Sequence, residues 1–143
     1  MDSANSINVH IAITGIQTDC DNARDTVTSD CEGVLKEQNG KSFVYYFENA
    51  DGTEEKIRNL IAIENGRITV TKSGAVVAKM IYETGSTKHV DYKTAYGIIG
   101  MDIYTKNVMV IRDKNEMNIT IDYDLKSQGE LINSTVLKIR ITM

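Results

Sequence analysis

Few residues in this chain have the types and spacing to do chemistry. It holds 2 histidines and 2 cysteines. An acyl-transfer triad needs a histidine base, so the choice is His10 or His89. His10 alternates with Val9 and Ile11, which puts it on the polar side of a strand, facing solvent. His89 lies in the polar segment Ser86 to Tyr96, where acid–base work beside Tyr92 or Tyr96 is the chemistry available to it. Cys20 and Cys31 fit no Cys-x-x-Cys redox or zinc pattern and are expected as free thiols in a reducing compartment.

Other patterns fail on spacing. The acidic run from Asp19 to Glu32 invites a calcium test, but an EF-hand counted from Asp19 has Ala23 at the fifth place and Arg24 at the glycine place. Thr71-Lys72-Ser73-Gly74 lacks the spaced glycines of a P-loop and is expected as a hairpin turn. Asp122 and Asp124 could pair for glycoside chemistry, yet both fall on the outward side of their strand. Asn118-Ile119-Thr120 and Asn133-Ser134-Thr135 match the glycosylation sequon, which matters only in a secreted chain. No catalytic set, metal site or cofactor is expected.

The tyrosines carry more. There are 7, and each offers an apolar ring with one hydrogen-bonding tip. Tyr45, Tyr82 and Tyr123 fall in registers expected to point inward, with Asn59 as a candidate partner for a buried phenol. Tyr82, His89, Tyr92 and Tyr96 are the candidate ligand-binding residues, grouped near one rim.

Those residues must be positioned by strands. From Lys36 onward the chain alternates apolar and polar residues between turns, which means half-buried strands. Asn39-Gly40, Asp51-Gly52, Asn65-Gly66, Ser73-Gly74, Thr84-Gly85 and Gln128-Gly129 supply turn chemistry. Met117, Ile119, Ile121, Tyr123 and Leu125 form the clearest inward row. Phe43, Tyr45 and Phe47 are expected inward on an earlier strand, and Val76, Ala78, Met80 and Tyr82 on a later one. Gln17 to Asp30 has no sustained period and is expected as a long polar loop.

The expected architecture is all-β: a single antiparallel up-and-down barrel of about 8–10 strands over residues 1–143, since so many strands twist and tend to close. Closure also removes exposed edges, which a chain with 0 prolines cannot blunt by proline. A net charge of −4 with scattered lysines excludes an evident nucleic-acid surface. No leader-like start and no apolar run of about 20 residues appears, so no membrane partner and a cytoplasmic location are expected.

Tyr92-Lys93-Thr94-Ala95-Tyr96-Gly97, Met101-Asp102-Ile103-Tyr104-Thr105 and Ile119-Thr120-Ile121-Asp122-Tyr123-Asp124-Leu125, in this order and spacing, resemble the YwiB-like family of uncharacterised bacterial proteins. The likeness runs from Ile7 to Ile141. It implies a calycin-like, lipocalin-shaped barrel from a bacterial cytosol, without a catalytic set to carry over. Ala95 departs from the family, which often has proline after the threonine.

The functional expectation is therefore a non-catalytic barrel with a bulky, mostly filled interior and a shallow pocket at one mouth for a small, partly apolar ligand. The alternative is a protein–protein module or homodimer. Its motive is that Ala75 to Ile81 and Val108 to Ile111 are apolar on both faces. An enzyme using His89 and Tyr96 is the third reading.

Overall fold

The computed structural model describes residues 6–49 and 54–143. The Asp51-Gly52 turn and the start of the chain lie outside the described residues. Ten strands follow one another: β1 (Ser6–Asp19), β2 (Arg24–Gln38), β3 (Lys41–Asn49), β4 (Lys56–Glu64), β5 (Arg67–Gly74), β6 (Ala78–Glu83), β7 (Thr87–Thr94), β8 (Gly97–Arg112), β9 (Glu116–Ser127) and β10 (Glu130–Thr142). They form one sheet in the order β6-β5-β4-β3-β2-β1-β10-β9-β8-β7, all neighbours antiparallel.

The first and last strands pair along their length, from His10↔Thr142 to Asp19↔Asn133. The seam of the barrel therefore falls between β6 and β7, which are consecutive in the chain. One two-bond clasp closes it at the top: Val77 N–H donates to Lys93 O (3.0 Å) and Lys93 N–H to Val77 O (2.9 Å). Below, Gly85 N–H donates to Thr105 O (2.8 Å) and Thr105 N–H to Ser86 O (3.0 Å). The result is a nearly closed barrel.

Its interior follows from strand parity. Val9, Ile11, Leu35, Val44, Ile61, Ile63, Ile68, Val70, Ala78, Tyr82, Val90, Ile103, Met117, Ile119, Ile121, Ile139 and Ile141 make one buried cluster. The expected inward rows of β6 and β9 stand, and β4, β5 and β10 add Ile61 and Ile63, Ile68 and Val70, and Ile139 and Ile141.

Two expectations are corrected. Gln17 to Asp30 is not a loop: β1 and β2 extend through it as a paired hairpin, turning at Asn22 with φ 63°. Alternating threonines, serine and aspartates pair there through backbone bonds without an apolar face, so hydrophobic period could not reveal the strands. On β3 the expected parity is reversed. Ser42, Val44 and Tyr46 turn inward, while Tyr45 and Phe47 are exposed. From Phe43 to Phe47 every residue is apolar or aromatic, so alternation could not choose a face. Register did: Val44 pairs Leu35 and Ile61, both fully inside.

Candidate functional site

The strand directions put the β1–β2, β5–β6, β7–β8 and β9–β10 turns at one end, the mouth. The β2–β3, β4–β5 and β8–β9 turns lie at the other. That far end is strapped. Arg112 reaches across from β8, donating through Nη2 to Ser42 Oγ (2.7 Å) and through Nη1 to Glu37 Oε2 (3.4 Å).

At the mouth an inward-facing polar rung spans three strands. Asn59 of β4 stands in register with Tyr46 of β3 and Lys72 of β5, and Lys72 with Ala78 of β6. Lys72 Nζ donates to Glu48 Oε1 (2.6 Å) and to Asn59 Oδ1 (2.8 Å). Asn59 Nδ2 donates to Glu48 Oε1 (2.9 Å). The buried amide expected to serve a phenol thus serves an ion pair instead, since charge-assisted bonds outcompete neutral ones. Burial works to raise the Glu48 pKa, but the hydrogen bonds from Lys72 and Asn59 and the Lys72 charge hold it below its ordinary value.

Below the rung the lumen is apolar and aromatic. A cavity of about 420 Å³ is lined by Tyr46, Ile61, Val70, Met80, Tyr82 and Ile139 among others, with Glu48 and Lys72 at its edge. A second, of about 560 Å³, shares Glu48, Asn49 and Lys72 and runs under the β7–β8 tip to Tyr92, Tyr96 and Ile99. Tyr82 and Tyr123 pack with ring centroids 5.0 Å apart at 53°, their hydroxyls hydrogen-bonded. Tyr123 also bonds Thr135, which donates to Asn133 Oδ1 (2.8 Å). Thr105 stands in register with Tyr123, and its buried hydroxyl has no partner among the described residues.

The phenols and the thiol in this lumen are held protonated. Burial and the Glu48 charge push Tyr46 well up, and burial does the same to Tyr82. Cys31, whose rung partner is Ile11, is also raised, by burial first and then by Glu48, Glu32 and Asp30. A raised thiol is a poor nucleophile. Both cysteines are free.

The four residues expected at one rim are divided. Tyr82 lines the first cavity, and Tyr92 and Tyr96 the second. Tyr96 sits at the hairpin tip, 99% exposed. His89 is on the outer wall, away from both cavities. Val90 is buried and Tyr92 shares its face, so His89, of opposite parity, must point out. There its Nδ1 meets Asp102 Oδ1 and its Nε2 meets Asp91 Oδ1, each at 2.9 Å, and those bonds raise its pKa. His10 is likewise outside, between Glu32 and Asp30. No group of His, Cys, Asp or Glu among the described residues is arranged to hold a metal ion.

Glu48, Lys72 and Tyr46 escaped sequence reasoning. Lys72 falls in a stretch that reads as a turn, and the parity expected for β3, with Tyr45 inward, leaves Tyr46 on the outer face. The available signal was Asn59 itself: a lone amide in the otherwise apolar inward row of β4 demands polar neighbours on the adjoining strands.

Comparisons agree with this architecture. The family model described as a domain of unknown function (DUF1934) matches residues 11–139. A relative in Bacillus subtilis (strain 168), described as the uncharacterized beta-barrel protein YwiB, is 26% identical over 107 residues, spanning 73% of this chain and 74% of the relative. The crystal structure of the ywiB protein from Bacillus subtilis superposes with a TM-score of 0.86 at 20% identity, covering 96% of this chain and 92% of that one.

Proposed function

The chain belongs to the DUF1934 family of domains of unknown function, and from the geometry of its mouth we propose that it is a non-catalytic barrel binding a small, partly apolar ligand there. The observation that carries this reading is the polar rung of Glu48, Asn59 and Lys72 set over an apolar cavity of about 420 Å³. Pockets of that size with few convergent polar groups are what small-ligand sites look like. The ligand's apolar body lies against Ile61, Val70 and Tyr82, and its polar group meets Glu48 Oε2, which no protein donor occupies among the described residues.

The site supports binding rather than catalysis. The carboxylate of the rung, Glu48, is tied to Lys72 with a lowered pKa, a poor general base. Both histidines are outside, and Cys31 is held as a thiol.

The same proposal sets the barrel in the cytosol. Among the described residues no helix is long and apolar enough to cross a membrane. A barrel in a bilayer carries its apolar belt outside and polar groups within. Here the apolar cluster is inside, and Thr14, Lys138 and Thr120 share one outward rung.

The test is a titration of isotopically labelled protein with a library of aromatic and aliphatic fragments, read by amide and side-chain NMR shifts. Shifts clustered on Tyr46, Glu48, Lys72 and Tyr82, and abolished by Val70→Phe, are expected. A library that leaves those four residues unmoved sinks the proposal.

A further inference from the structure

The reversed parity of β3 has placed an aromatic stripe on the outer wall. Phe43, Tyr45 and Phe47 point outward, the last two 45% and 59% exposed. Rung partners extend it sideways. Tyr45 stands between Val34 of β2 and Leu60 of β4, and Phe43 between Lys36 and Ala62, with Thr69 and Ile81 beyond. Outward residues of an antiparallel sheet facing water are normally polar. The charges on β2 are ordered around this stripe: Glu32, Val34 and Lys36 follow one another on the outer face, acid toward the mouth and base toward the far end. Lys36 makes no ion pair among the described residues.

We infer that this face binds a second copy of the chain in an isologous, face-to-face dimer. Take a twofold axis lying between the two sheets, perpendicular to the strands, through the Val34–Tyr45–Leu60 rung. It stacks β3 on its symmetry mate in reverse direction. Tyr45 then meets the partner's Tyr45, and Phe47 meets the partner's Phe43. On β2, Glu32 meets the partner's Lys36 and Lys36 the partner's Glu32. The order acid–apolar–base is complementary to its own reversal. A uniformly acidic or basic partner would match one end and clash at the other, and Glu32 repels phosphate. A twofold interface requires this self-complementarity.

The outer wall is convex, so the contact is confined to the central strands. It is smaller than the roughly 800 Å² per partner of a standard interface and gives a concentration-dependent dimer in the micromolar range.

Sedimentation velocity over rising concentration tests it. The wild-type mass should move from 15.9 kDa toward twice that value. Tyr45→Lys, Glu32→Lys and Lys36→Glu should each stay monomeric, with circular dichroism like the wild type. Mixing Glu32→Lys with Lys36→Glu should restore association, because the first protomer then presents two lysines to the second's two glutamates. A wild-type chain still monomeric at about 1 mM overturns the inference. So does a dimer indifferent to Tyr45→Lys, or a mixture of the two charge variants that stays monomeric.

Discussion

Gly33 shows how one residue sets the shape of the wall. It faces inward on β2 beside Val9 and Tyr46, and a Cβ there would lie 2.5 Å from Tyr45 O and 2.6 Å from Ile11 Cδ1. Ile11 can rotate away, but the carbonyl is backbone and cannot. Gly33→Ala should therefore destabilise the fold by about 1–3 kcal/mol in urea denaturation, the usual range for overpacking. At the rung, Lys72→Met leaves Glu48 without its cation. The folded pKa of Glu48 is depressed, so its contribution is present above the unfolded value and lost as pH falls through the folded one. The variant should be less stable than wild type at neutral pH, with the gap closing in acid, measured by denaturant midpoints from pH 7 down to about pH 3. The histidines have the opposite sign. Carboxylates raise His10 and His89, so their contribution is complete below the unfolded pKa of about 6.5 and disappears as pH rises through the folded values. Replacing both by glutamine should flatten that decline; an unchanged profile between mildly acid and mildly alkaline pH contradicts it.

Among the elements, the seam is the weakest join. Every strand from β5 through β1 and β10 to β8 has two neighbours bonded along a run of residues, whereas β6 and β7 have one apiece. Their free sides meet through the Val77–Lys93 clasp. Backbone amides without a ladder partner open most readily. Amides of β6 and β7 on the seam side should exchange with deuterium faster than those between β1 and β10. Val77→Pro removes the N–H given to Lys93 O, and should accelerate exchange along β7 while leaving β1, β9 and β10 protected. The β1–β2 hairpin beyond the barrel is different. Its residues from Cys20 to Asp30 are exposed, so Val27→Asp should change stability by no more than about 0.5 kcal/mol. Only its base borders the first cavity, through Ser29 and Asp30.

At the scale of the molecule, the barrel is asymmetric from end to end. The far end is drawn together by Arg112, which links β8 to Ser42 and Glu37 across the sheet order rather than along it. The mouth has no such strap among the described residues and opens over the rung. Arg112→Ala should lower stability by about 1–2 kcal/mol, since the fully buried Ser42 hydroxyl loses its charged donor and keeps only its own 3.3 Å bond to Glu37. Fragment shifts at Tyr46 and Tyr82 should survive that change. Loss of binding together with the strap would mean that the two ends act as one unit.

Alternation and turns by themselves determined the all-β class, the meander of about 8–10 strands and most inward rows, because side-chain parity is a local property of extended chain. Met117 to Leu125 and Ile57 to Ile63 are inside for that reason. Where alternation was missing, only the assembled sheet could decide. Phe43 to Phe47 offered two equivalent faces, and pairing of Val44 with Leu35 and Ile61 selected one. The acidic hairpin had no apolar face at all, and backbone pairing of β1 with β2 made it strand. Glu48, Asn59 and Lys72 lie far apart in the chain and meet only because three neighbouring strands bring them onto adjacent rungs, where the buried Asn59 amide must find polar partners and Glu48 and Lys72 supply them.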